Sequence, residues 1–146
     1  MVKAFFSPKG GIAPEIMRAI GKATFSVKVA AFAFTSKYIG TALKNARKRN
    51  VNVQMLLDED YMDKSYSIDE WLAVFGAEIR KIAMKRGIMH NKFIIVDDKI
   101  LFTGSYNFTN DSENRNYENI VILDLPDIVK PYLDEFTRLW KIGTPK

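Results

Sequence analysis

Cysteine is missing from this 146-residue chain, and histidine occurs once, as His90. Without cysteine there is no disulfide, no thiolate metal site and no cysteine nucleophile. The same lack suits a reducing compartment. With one imidazole, any reaction that needs two must borrow the second from another chain. Long apolar runs are scarce as well. The longest, residues 27–34, is interrupted by Lys28 and falls far short of the ~20 residues a membrane-spanning helix requires. Residues 1–11, MVKAFFSPKGG, hold no apolar stretch of signal-peptide length. No low-complexity segment, repeat or Pro/Ser-rich linker divides the chain. The expectation is one soluble, cytoplasmic domain over residues 1–146, without integral membrane association.

Apolar residues make up 47% of the chain and charged residues 27%, enough for a buried core. Twenty-two Lys and Arg face 17 Asp and Glu, a formal charge of +5 that favours polyanionic partners such as nucleic acid or an anionic membrane surface.

Hydrophobic period places the elements. A short strand is expected at 3–6, then a Gly10–Gly11 turn. Pro14 near a helix start precedes the stripe Ile12, Ile16, Ala19 and Ile20. Residues 26–34 read as a buried strand. Ser36 can cap a helix carrying Ile39, Ala42, Leu43 and Ala46. Val51, Val53, Met55 and Leu57 alternate as a strand does. A polar loop is expected over 58–67. Ser67 and Glu70 form a capping box for a helix carrying Trp71, Leu72 and Phe75, with Gly76 at its end. Strands follow at 78–82, 92–96, 100–103 and 120–123, the middle two a hairpin turned at Asp97, Asp98 and Lys99. Pro126 opens a last helix with Ile128, Val129, Tyr132, Leu133, Phe136, Leu139 and Trp140 on its apolar stripe. Strands alternating with helices, plus a hairpin, predict an α/β fold with a mixed central sheet and helices on both faces.

One constellation carries chemistry. His90 and Lys92 sit two apart at a strand entrance, Asp97 closes that strand, Gly104-Ser105-Tyr106-Asn107 follows, and Glu118 opens another strand. An imidazole can attack phosphorus, and an imidazolium can protonate a leaving oxygen. Lysine places a compact positive charge on phosphoryl oxygens. Ser105 and Asn107 can donate hydrogen bonds to the same oxygens, while Gly104 allows close backbone approach. Within a strand His90 and Lys92 share a face, and Asp97 has the opposite parity, which makes it a turn or supporting residue.

The pattern H-x-K-x4-D-x6-G-S-x-N, filled by His90, Lys92, Asp97, Gly104, Ser105 and Asn107, resembles the motif of the phospholipase D superfamily. FSPKGG, AAFAFTS and VNVQMLLDED look like the matching segments of its small one-motif nucleases. The resemblance implies phosphoryl transfer with neither metal nor cofactor, through a phosphohistidine. It implies a homodimer that brings two His90 rings to a shared site, and paired Lys92 and Asn107 that neutralise the phosphoryl oxygens. It also implies that Glu118 accepts a hydrogen bond from His90.

Competing readings remain at this stage. Asp58, Glu59 and Asp60 suit either a divalent cation or a solvated capping loop. Lys44, Arg47, Lys48 and Arg49 suit either helix-dipole compensation or a polyanion. Arg80, Lys81, Lys85 and Arg86 precede His90 and are candidates for a phosphate backbone. Tyr106, Phe108 and Tyr117 are candidates for base stacking or for the core. The Lys9-Gly10-Gly11 turn is not a P-loop. The leading function is a metal-independent, sequence-tolerant phosphodiesterase of nucleic acid that favours single strands. The alternatives are a phospholipase D or cardiolipin-type lipid phosphodiesterase and a non-catalytic nucleic-acid-binding module.

Overall fold

In a computed structural model that describes residues 1–62 and 68–146, the strands join in a single mixed sheet. The elements are β1 (Val2–Phe6), α1 (Ile12–Gly21), β2 (Ser26–Ala31), α2 (Lys37–Lys48), β3 (Asn52–Asp58), α3 (Glu59–Met62) and α4 (Asp69–Val74). They continue as β4 (Glu78–Ile82), β5 (Phe93–Val96), β6 (Ile100–Gly104), α5 (Asn110–Asn114), β7 (Asn119–Leu123), α6 (Pro126–Ile142) and β8 (Thr144–Pro145). Strand order is β1-β7-β6-β5-β2-β3-β4-β8. Only β2·β3 and β3·β4 are parallel; the other pairs are antiparallel.

The period-two pattern of the strands builds a core on each face. Val27, Val29 and Ala31 of β2 join Val53, Met55 and Leu57 of β3, and this face is covered by Ile12, Ile16 and Ile20 of α1 and by Ile39 and Leu43 of α2. The opposite parity, with Ala30, Leu56, Phe93 and Ile95, packs on Val129, Phe136 and Leu139 of α6. Among the described residues α6 alone carries the second face, which explains its 17-residue length.

Local chemistry sets the boundaries. Ser36 caps α2, its hydroxyl accepting the Ile39 N–H at 3.3 Å, as expected from sequence. The basic run is spent on structure. Arg47 donates to the Val51 carbonyl at 2.9 Å, Arg49 to that of Ile20 at 2.9 Å, and Lys44 lies over the Trp71 and Phe75 rings. Gly11 precedes α1 with no capping side chain of its own. The cap comes from Glu113, which accepts the Ala13 N–H at 3.1 Å.

Several expectations shift. The β2 strand stops at Ala31 instead of continuing to residue 34. Beyond it the chain turns to meet the 105–109 loop, with an isolated bridge between Phe34 and Phe108 and Thr35 N–H donating to the Phe108 carbonyl at 3.0 Å. Where a polar loop was expected from residue 58, Asp58 ends β3 and α3 follows at once; residues 63–67 of that expectation lie outside the described residues. The proposed cap Ser67 lies outside the described residues; α4 begins at Asp69. Among the described helices none is long and apolar enough to cross a membrane.

The hairpin turn is where the sequence placed it. Asp97 and Asp98 both have φ of 54°, as a type I′ turn requires at its two central positions, and Lys99 N–H donates to the Val96 carbonyl at 3.0 Å.

Candidate active site

The candidate residues gather at one end of the sheet because of strand direction. β5 runs antiparallel to β2 and β6, pairing Ala30 with Phe93 and Phe93 with Thr103. The end of β2, the entrance to β5, the end of β6 and the start of β7 therefore share one edge. His90 and Lys92 precede β5, so they lie in the approach to the strand and not within it.

Lys92 folds back on its neighbour. Its Nζ lies 2.9 Å from Nδ1 and 3.2 Å from Nε2 of His90, and donates to the His90 carbonyl at 3.0 Å. An ammonium can donate only to a ring nitrogen that holds a lone pair, so at most one of these two ring contacts is a hydrogen bond. Burial lowers the Lys92 pKa below its ordinary value, and the negative charge of Glu118 partly opposes that shift. The His90 ring also rests on Phe32, centroid to centroid 4.8 Å, and Lys92 Nζ stands 6.0 Å from the same ring centroid.

Glu118 departs from the role implied by resemblance. Its carboxylate accepts from Ser105 Oγ at 3.3 Å and Ser112 Oγ at 3.4 Å, while the His90 nitrogens face Lys92. Its backbone is clamped too: Ser7 N–H donates to the Glu118 carbonyl, and Glu118 N–H donates to Ser7 Oγ, each at 3.0 Å. Ser105 also accepts the Asn119 N–H at 3.0 Å, so its hydroxyl supports Glu118 and β7. A Cβ on Gly104 would stand 2.2 Å from the Asn119 carbonyl oxygen, so only glycine allows β6 and β7 to close here. Asn107 carries a buried Oδ1 with no hydrogen-bond partner, so this acceptor is not itself a donor to phosphoryl oxygens.

Asp97 stands at the far end of β5 from His90. Its carboxylate accepts the N–H groups of Thr24, Phe25 and Ser26 at 2.8–3.1 Å and the Thr24 hydroxyl at 3.1 Å. Partial burial would raise its pKa; those donors outweigh burial and hold it below the usual carboxylate range. These bonds tie the β5–β6 turn to the start of β2.

The basic patch and the aromatics need correction. Arg80 is committed to α6, its guanidinium donating to the Trp140 carbonyl and lying 4.5 Å over the Trp140 ring. Lys81 pairs with Glu59 at 3.0 Å. Lys85 and Arg86 are exposed and remain the candidates of that group. Tyr106 is 1% exposed, with its hydroxyl donating to Glu113 at 3.1 Å, so it packs in the core and cannot stack on a base. Burial, with the Glu113 carboxylate beside it, pushes the phenol pKa far above its ordinary value. Phe108 is equally buried, whereas Tyr117 is 91% exposed.

The acidic run at 58–60 does not converge, and no metal-binding group of three or more ligands occurs among the described residues. Asp58 is buried and accepts the Met89 N–H at 2.9 Å and the Tyr61 N–H at 3.4 Å. Sequence reasoning missed this link, as it missed Ser7, Phe32 and Ser112. Their partners are remote in sequence or, for Ser112, a cap and a carboxylate that local pattern does not single out.

Residues 16–140 match the family described as cardiolipin synthase, PLD-like domain. The chain belongs to the phospholipase D-like family. It is 36% identical over 131 residues to the mitochondrial cardiolipin hydrolase of Canis lupus familiaris, covering 90% of this chain and 51% of that protein. To a phospholipase D of Rickettsia conorii it is 36% identical over 137 residues, covering 92% of this chain and 67% of that one. The chain thus spans about half the length of the canine protein. The crystal structure of Nuc from Salmonella typhimurium, a phospholipase D family member, superposes with a TM-score of 0.92 at 33% identity, over 100% of this chain and 97% of Nuc. The mixed sheet and flanking helices expected from sequence are therefore the phospholipase D-like fold.

Proposed function

We propose that this chain hydrolyses phosphodiesters of nucleic acid without a metal ion, through a phosphohistidine, as a homodimer. The observation that carries the reading is the lone imidazole of His90 with the Lys92 ammonium against its ring nitrogens, at the edge where β5 begins. One His90 nitrogen attacks phosphorus as the bond to the leaving oxygen breaks, and His90 of the partner subunit gives that oxygen its proton. The same ring then takes a proton from water, whose oxygen attacks phosphorus and breaks the P–N bond. Lys92 supplies the positive charge that a metal ion supplies elsewhere. Gly104, Ser105 and Glu118 hold the β6–β7 wall.

Net charge of +5, the exposed Lys85 and Arg86 near His90, and the exposed Tyr117 beside Glu118 support a nucleic-acid substrate. Two rings that must face one phosphorus favour a single strand. A lipid phosphodiester is the second reading. It is favoured by a groove of about 440 Å³ beside His90, lined by Ile82, Met84, Ile88, Leu139 and Ile142, and by the names of the relatives.

Cleavage of a labelled single-stranded oligonucleotide is expected to persist undiminished in excess EDTA, read by gel. Loss of cleavage that magnesium restores would remove the metal-free assignment. Turnover of cardiolipin vesicles with none of the oligonucleotide would install the lipid reading in its place.

A further inference from the structure

The capping reading of the acidic run covers only the Asp58 contact to Tyr61 at the start of α3; the Asp58 bond to Met89 has no place in that reading or in the motif. Asp58 is 4% exposed at the end of β3. A buried carboxylate needs donors, and this one has two backbone N–H groups, one on each side of the active-site histidine's support. Met89 N–H donates to Oδ1 at 2.9 Å from a position 31 residues away. Met89 is itself buried where the exposed 83–88 loop returns to the sheet, and His90 is the next residue. Tyr61 N–H donates to Oδ2 at 3.4 Å. The Tyr61 ring lies 5.2 Å from that of Phe32, and Phe32 is the surface on which the His90 imidazole rests.

The geometry points to Asp58 as a positioning residue that fixes both ends of the tilted ring contacts Tyr61–Phe32–His90: through Met89 it sets the His90 backbone, and through Tyr61 it sets the ring behind Phe32. In-line attack on phosphorus tolerates little error, and a displacement near 1 Å costs on the order of 10²-fold in rate. Asp58 touches neither His90 nor the site occupied by the phosphoryl group; it acts through Met89 and Phe32.

This inference rests on His90 as the reacting group, not on which phosphodiester is cleaved. The test therefore uses a generic substrate, bis(p-nitrophenyl) phosphate, together with NMR of the one histidine. Asp58→Ala is expected to lower kcat by about 10- to 100-fold with KM within about twofold. It should also move the His90 Cε1–H resonance as the ring leaves Phe32. Asp58→Asn keeps an oxygen for the Met89 N–H and is expected to recover most of the loss. If Asp58→Ala does not fold, Phe32→Leu carries the test, with the same fall in kcat and a changed resonance expected. Wild-type kcat and an unmoved resonance in folded Asp58→Ala, or in Phe32→Leu, would overturn the inference. So would a loss confined to KM. Because the resonance is read without substrate, an inactive wild type with a shifted Asp58→Ala resonance would condemn the enzyme reading and leave the positioning intact.

Discussion

His90→Ala is expected to lower turnover by on the order of 10⁴-fold or more while leaving oligonucleotide binding within a few-fold, because the substitution removes nucleophile and proton donor together. Within one chain the two roles conflict. The nitrogen that attacks phosphorus must be unprotonated, and the group that protonates the leaving oxygen must carry a proton. In the proposed dimer the donor is the imidazole of a second copy, since these 146 residues hold no other. Equal mixing of wild-type and His90→Ala chains, after subunit exchange, should reduce activity to about a quarter of an all-wild-type sample of equal total chain concentration. Random pairing leaves that share of dimers with two intact rings. Activity of about a half, meaning that mixed dimers work through their one intact ring, would dismiss the shared site. A monomer that cleaves at full rate, measured by sedimentation at assay concentration, would dismiss it more directly.

Much of this arrangement was legible in the residues, and the reasons differ by element. The apolar run 26–34 reported a strand buried on both faces, while the division of Val27, Val29 and Ala31 from Ala30 between two cores came with the sheet. Ser36 and the Asp97–Asp98 turn depend on chemistry within a few residues, which local pattern captures. Tyr106 was the opposite case. An aromatic between two motif residues reads as a contact for substrate, but here it turns inward to Glu113. Arg80 looked like a phosphate ligand because the sequence cannot show that Trp140, 60 residues away, provides a carbonyl and a ring face for it. Asp58 read as a cation ligand or a capping residue, and its further link stayed hidden for the same reason: its donor on Met89 comes from the far side of a loop. Buried polar groups draw partners from anywhere in the fold, so their roles emerge only with the tertiary contacts.

Glu118 shows how a resemblance and a structure divide the work. The motif's glutamate was expected on His90, yet in the single chain its oxygens are held by Ser105 and Ser112 and its charge acts on Lys92. Ser7 pins the backbone at the same point, so the carboxylate is fixed from the N-terminal strand as well as from α5. The consequence is electrostatic. Burial alone favours a neutral lysine, and the fixed carboxylate favours the ammonium that the phosphoryl oxygens need.

Asp97→Ala separates structural from chemical members of the motif, and its expected effect is on stability. The carboxylate gathers four donors from Thr24, Phe25 and Ser26 and so ties the start of β2 to the β5–β6 turn. Hydrogen bonds to a charged group contribute roughly 1.5–3 kcal/mol, and the Thr24 and Phe25 donors stay reachable by water when the carboxylate is removed. The variant should therefore lose about 2 kcal/mol, read as a lower urea midpoint at pH 7 with the denaturant slope unchanged. The loss should also depend on pH. The folded pKa of Asp97 lies below its ordinary value, so its contribution is complete above the unfolded pKa and drains away as pH falls through the folded one. The gap between wild type and Asp97→Ala should hold steady near neutrality and narrow in acid. Because Asp97 sits at the opposite end of β5 from His90, turnover per folded molecule should be retained. A variant as stable as wild type that has lost turnover would place Asp97 in the chemistry, and a gap that persists unchanged in acid would deny that its charge does the holding.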